Sequence, residues 1–140
     1  MTATIVYEGN LRTVCTHEKS GTTIESDAPV DNQGKGERFS PSDLLVTSLG
    51  SCMITIMGMK ARDLNIDLKG TKISVEKIMK QDPRRVGGIN LTFHFPEQLS
   101  LDGKQQTILE RAAHTCPVRH SLNPDIDIKV DFKWKQPVLG

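Results

Sequence analysis

"SPSDLLVTSLGSCMITIMGM", residues 40–59, is the stretch on which the reading of the fold turns. Ser40 is a helix cap, Pro41 suits the first helical position, and Asp43 puts an acid in the first turn. No charge follows Asp43 until Lys60. The spacing predicts a helix running to about Asp63 or Leu64. On it, Leu45, Leu49, Cys52 and Ile56 form one stripe. The opposite face, with Val46, Gly50, Met53 and Met57, is hardly more polar. A helix apolar all round must be covered on all sides. One sheet in a chain this small covers one side, so the rest calls for a second helix or a second subunit. Gly50 and Gly58 permit close approach, and a dimer is expected.

Outward from this helix the chain alternates in period. "TATIVYEG", "LRTVCTHE" and "TTIESDAP" are β-rich segments separated by Gly-Asn and Ser-Gly, a three-strand meander. "VDNQGKGERFS" is a polar loop whose Gly-Lys-Gly lacks the Lys-[Ser/Thr] ending of a phosphate loop. After the helix, "KGTKISVEKIMK" and "GGINLTFHFP" alternate as strands, with "QDPRRVGG" turning between them. A second helix begins near Leu101-Asp102 and carries Ile108, Leu109, Ala112 and Ala113 on one side. "PVRHSLNP" interrupts it or adds a short helix, and "IDIKVDFKW" is a last strand. The order βββ-α-ββ-α-β defines an α+β fold, read as one domain over residues 1–140. A chain of 140 residues buries roughly 70% of its unfolded surface and needs neither disulfide nor metal to fold.

Bulk charge excludes some roles. Lys+Arg 18 against Asp+Glu 17 leaves +1, with no basic or acidic block, so neither nucleic acid nor a membrane surface is an expected partner. Aromatics at 4% offer no base-stacking platform. "MTATIVYEGN" lacks the positive start and apolar core of a signal peptide. The uncharged run Leu44–Met59 is shorter than the ~20 residues of a membrane span. Three cysteines without an export signal suit a reducing cytoplasm, where a disulfide is transient and chemical.

Two of those cysteines stand in suggestive places. Cys52 is central to the apolar helix. Cys116, in "AAHTCPVRHSL", sits where the helical pattern breaks at Pro117, and such breaks often border pockets. Pattern alone leaves a redox pair and two buried structural thiols both open. Cys15 reads as a packing residue of the second strand, and the Met53, Met57 and Met59 cluster as core filler. His114, Cys116 and His120 lack the recurrent Cys/His pairs of a zinc module.

"SPSDLLVTSLGSC" and "CPVRHSL" together resemble the two cysteine motifs of the OsmC/Ohr family, the osmotically inducible and organic hydroperoxide resistance proteins. The order of elements matches across essentially the whole chain. The resemblance implies an intertwined homodimer whose sheets wrap the partner's central helices. It also implies reduction of organic hydroperoxides without metal, haem or flavin, with an external dithiol as reductant. By position, Cys52 is then the peroxidatic and Cys116 the resolving residue. A buried thiol needs a neighbouring cation to ionise, and two arginines are candidates: Arg12 matches the Ohr branch, Arg38 the OsmC branch. Ohr-like members carry a glutamate directly after the helix-opening proline. Here Ser42 stands there, and the acid, Asp43, is turned by ~100° on the helix. That departure places the chain among the broader OsmC-like proteins. The alternative reading is a non-catalytic module of the same fold that binds a small apolar ligand at the dimer interface.

Overall fold

The computed structural model describes residues 1–135. Two compact units make up the chain, Met1–Leu45 and Val46–Gly140. In the first, β1 (Ala3–Gly9), β2 (Arg12–His17) and β3 (Thr23–Asp27) form an antiparallel sheet in the order β1-β2-β3, the expected meander. A short 3₁₀ turn follows at Val30–Asn32. Gly9, Asn10 and Leu11 all take left-handed backbone angles between β1 and β2. That tight reversal sets Arg12 at the first position of β2, directly across from Asp27 of β3.

The long helix α1 spans Pro41–Asp63, as its sequence predicts. Its start is a reciprocal cap: the Asp43 N–H donates to Ser40 Oγ at 3.0 Å, and the Ser40 N–H donates to Asp43 Oδ2 at 2.9 Å. Two N–H groups that the first helical turn leaves unpaired are thereby satisfied. The helix has 23 residues and a mean hydropathy of 1.5 over its most apolar 18. By length and composition it would therefore pass as a membrane span, which the count of uncharged residues alone understated. The core helix of a folded domain passes the same test.

In the second unit, β4 (Lys72–Lys80), β5 (Arg85–His94) and β6 (Asp127–Lys133) form a sheet with β5 in the middle. β4 is antiparallel to β5 and β6 is parallel to it. The intervening α2 (Gly103–Ala113) and α3 (Pro117–Ser121) supply the crossover that a parallel pair requires. The register aligns Ile73, Phe93 and Phe132, and likewise Val75, Leu91 and Val130, across the three strands. One face of the sheet is thus a continuous apolar floor. Asp102 and Gln105 cap α2 reciprocally, and Leu109 and Ala113 of that helix are fully buried. β5 starts at Arg85, before the expected Gly-Gly, so the turn after β4 is shorter than its sequence suggested.

Helix α1 lies on the floor with its Val46–Gly50–Met53–Met57 face inward, a choice between two apolar faces that the sequence left open. Val46, Leu49, Gly50, Met53, Met57 and Ala61 are buried, while Cys52 and Ile56 are half-buried and Leu45 is 40% exposed. The stripe Leu45–Leu49–Cys52–Ile56 is therefore the flank of the buried face, and only Leu49 belongs to its centre. Gly50 decides the matter. A Cβ there would stand 3.3 Å from Leu91 Cδ2, 3.3 Å from Val75 Cγ2 and 3.5 Å from Ile73 Cγ2, so the helix backbone approaches the sheet most closely at this residue. Each fully buried Leu, Met or Phe of the layer contributes roughly 1.5–3 kcal/mol.

This geometry predicts opposite outcomes for two substitutions, read by urea unfolding. Gly50→Ala should be near neutral, because a helix-propensity gain of about 1 kcal/mol offsets one tight methyl contact. Gly50→Val adds two methyls to the same gap and should cost about 1–3 kcal/mol.

Candidate active site

Cys52 and Cys116 come together within the second unit. Cys52 is on the fourth turn of α1, at the flank of its buried face. Cys116 is the N-cap of α3, and its sulfur accepts the Arg119 N–H at 3.4 Å. Pro117 at the first position of α3 explains the cap. It stops α2 from continuing, and its fixed φ suits the start of a new helix. Cys116 is completely buried, and the Cys52 thiol is near enough to bear on its proton. Both thiols are free.

The two sulfurs differ in environment. Burial pushes the Cys116 thiol above the ordinary cysteine value, the Arg119 N–H opposes this, and the neighbouring Cys52 sulfur adds to it. Cys116 is thus a neutral thiol at pH 7. Arg119 itself has a buried Nη1 without a hydrogen-bond partner among the described residues. The His114 ring meets Phe132 edge-on at 5.9 Å, and burial, aided by the Arg119 charge, lowers its proton affinity. No group of three or more His, Cys, Asp or Glu side chains suited to a metal gathers among the described residues.

Arg12, Arg38 and Asp43 belong to the first unit. Arg12 donates from Nε to Asp27 Oδ1 at 2.7 Å and from Nη2 to Asp27 Oδ2 at 2.8 Å, a two-pronged pair. The Asp27 side chain is fully buried, and that of Arg12 is 24% exposed. Glu37 Oε1 is 3.5 Å from Arg12 Nη2, and Glu25 Oε2 is 4.0 Å from Arg12 Nε. Arg38 donates from Nε to the same Glu25 oxygen at 3.0 Å and is more exposed. Arg12 holds the Asp27 carboxyl below the usual carboxylate range despite its burial, and Asp27 in turn holds the guanidinium proton more firmly. The acid paired with Arg12 is thus Asp27, while the carboxylate of Asp43 accepts the Ser40 N–H at the helix cap.

Asp27 was missed in the sequence because "TTIESDAP" reads as an ordinary strand end. The signal was the register: once the β2–β3 turn is fixed around Lys19-Ser20, Arg12 and Asp27 must face each other.

The sequence profile of the OsmC-like protein family matches residues 34–131. Among solved structures, a proposed osmotic stress induced and detoxification response protein from Psychrobacter arcticus 273-4 is similar at 51% identity and a TM-score of 0.91. The match covers 95% of this chain and 96% of that one. An organic hydroperoxide resistance protein OsmC from Legionella pneumophila shares the fold at 17% identity and a TM-score of 0.72, over 96% and 98% of the two chains. So does the organic hydroperoxide resistance protein OhrB of Bacillus subtilis, at 19% identity and 0.66, over 95% and 98%. No curated protein matches the sequence.

The thiol environments predict an order of labelling. With iodoacetamide at pH 7 on the native protein, peptide mass spectrometry should find Cys52 carboxamidomethylated well before Cys116. Cys116 should label quickly only after unfolding or well above the ordinary thiol range. Equal rates on the native protein would contradict the burial and protonation described for Cys116.

Proposed function

We propose that this chain, which belongs to the OsmC-like protein family, is a thiol peroxidase that reduces organic hydroperoxides to alcohols. The observation that carries the reading is the meeting of Cys52 with the buried, helix-capping Cys116. A lone buried cysteine is usually a packing residue. Two neighbouring thiols, one half-buried and one sealed, can instead act in sequence.

In the proposed cycle the Cys52 thiolate attacks the terminal oxygen of ROOH. An S–O bond forms, the O–O bond breaks, and the departing alkoxide takes a proton and leaves as alcohol. Cys52 is then a sulfenic acid. The Cys116 sulfur attacks it, forming the S–S bond while its proton and the hydroxyl leave as water. An external dithiol opens this disulfide by exchange and carries the two electrons away as its own disulfide. The net change converts ROOH and a dithiol to ROH, water and a disulfide. On the resemblance to the Ohr branch alone, Arg12 is the cation we assign to the Cys52 thiolate. Arg38 is the second candidate, and Asp43 acts as a helix-start acid. A reducing, cytoplasmic setting suits a cycle that starts from two free thiols. Cys52 packs against the apolar core together with Ile54 and Ile56. Such surroundings favour an alkyl tail, at roughly 25 cal/mol per Å² buried.

The working form we propose is a homodimer. Strand β1 is exposed along most of its length, with Ile5 at 65%, Val6 at 54% and Tyr7 at 63%. Met59 at the far end of α1 is 57% exposed. Edge strands with apolar side chains on both faces rarely stay uncovered.

Mass spectrometry after one equivalent of cumene hydroperoxide tests the chemistry. Wild type should form a Cys52–Cys116 disulfide. Cys52→Ser should consume no peroxide, and Cys116→Ser should consume one equivalent, leaving a sulfenic acid that dimedone traps and a dithiol fails to turn over. If both thiols stay reduced in wild type, the peroxidase reading fails and the ligand-binding module takes its place. Assembly is tested separately, by sedimentation velocity at micromolar concentration. A single species of twice the chain mass is expected, and a stable folded monomer would refute the dimer.

A further inference from the structure

We propose that α3 is a redox-sensitive switch, capped while Cys116 is a free thiol and frayed once Cys116 bonds to Cys52, with release of the Arg119 side chain. The inference rests on the pairing of Cys52 with Cys116 in the peroxidase reading.

α3 has five residues, and none of them is buried. A helix this short is not stable by itself in water, so α3 depends on its ends and its neighbours. The neighbours give little. Val118 and, just past the helix, Leu122 are the side chains of this segment that pack partly buried against the core. Within the turn, the His120 N–H donates to the Cys116 carbonyl at 3.3 Å, and the Ser121 hydroxyl donates to that of Pro117 at 2.9 Å. The remaining anchor is the Cys116 sulfur, which accepts the Arg119 N–H at 3.4 Å. Such a cap satisfies a donor that the helix leaves unpaired.

The sulfur that caps α3 is also the one that a disulfide with Cys52 would use. Both thiols are free, so closing the bond must move at least one of them. Cys52 has little room to do so. Its neighbours Leu49 and Met53 are fully buried, and a helical residue has few χ1 rotamers to choose from. α2 is anchored likewise by Leu109 and Ala113. The element that can yield is α3. As the Cys116 sulfur turns toward α1, the Arg119 N–H loses its acceptor and the cap is gone.

Arg119 acts in the same direction through its side chain. Its Nη1 is buried without a hydrogen-bond partner among the described residues. A buried donor left without an acceptor destabilises the state that buries it, and a charged one does so more strongly. Fraying of α3 lets the guanidinium reach water. One residue thus carries both the bond that holds α3 and a group that works against it. The consequence falls on the thiol pair: a sulfur sealed as a thiol is uncovered as a disulfide, where an external dithiol has to reach it.

Hydrogen exchange on the full chain, in a Cys15→Ser background, tests the switch. The disulfide is made with diamide, whose N=N bond takes up the two protons and two electrons as the S–S bond forms, so no peroxide is involved. Peptides covering residues 115–122 should exchange roughly 5- to 30-fold faster in the disulfide form, the effect of losing one helix cap, while α2 peptides keep their rate. Trypsin should cut after Arg119 faster by a similar factor. Cys116→Ala has no cap and forms no disulfide with Cys52, and it should exchange at the fast rate with or without diamide. Cys116→Ser keeps an acceptor for the Arg119 N–H and should stay slow in both. Unchanged exchange of 115–122 in the disulfide form, or a Cys116→Ala as slow as the reduced parent, overturns the switch. If diamide links no Cys52–Cys116 pair, the trigger is missing and the inference falls. A working switch in a protein that consumes no hydroperoxide counts against the peroxidase reading alone.

Discussion

A helix with apolar side chains on every side can be covered on only one of them by a three-stranded sheet. Much of this structure follows from that limit. The face of α1 that meets the floor of β4, β5 and β6 is the one that carries Gly50, where the missing side chain lets the helix axis come close while Leu49, Met53 and Met57 are fully buried. Cys52 then falls at the flank of the contact. There it is near enough to the core to meet Cys116 and far enough out to remain half-buried.

The second consequence concerns chemistry. Two neighbouring thiols are useful in sequence only if they differ, and α2, α3 and Pro117 make them differ. The break at Pro117 turns Cys116 into the cap of a five-residue helix and seals it from water. Its proton is therefore held more tightly than in a free cysteine. In the peroxidase cycle proposed above, this difference would set the order of action: the accessible sulfur first, the sheltered one second.

In the first unit the main device is electrostatic. A carboxylate as buried as Asp27 is costly unless its charge and its lone pairs are met. Arg12 and the Glu37 N–H meet them, at the price of committing two nitrogens of the guanidinium. Around this pair Glu25 links Arg12 and Arg38. The two arginines that resemblance nominated separately are thus held by one shared acid.

The sequence by itself determined the elements. Ser40-Pro41 and Asp43 fix where α1 starts, alternation in "KISVEKIMK" and "IDIKVDFKW" fixes β4 and β6, and the Cys-Pro at 116–117 fixes the helix break. All of these are local effects of capping, pleat and the missing proline N–H, and local effects are written in neighbouring residues. The sequence also brought out both cysteines and both arginines as candidates. Only the tertiary structure decided which face of α1 is buried, because its two faces have nearly equal hydrophobicity and the choice rests on how closely Gly50 lets the backbone approach Val75 and Leu91. Only the tertiary structure joined β6 to β5 in parallel, and only it identified Asp27 as the partner of Arg12. These two residues are fifteen positions apart, and no composition or periodicity links them. The link is strand register, a property of two segments paired in space rather than of either one alone.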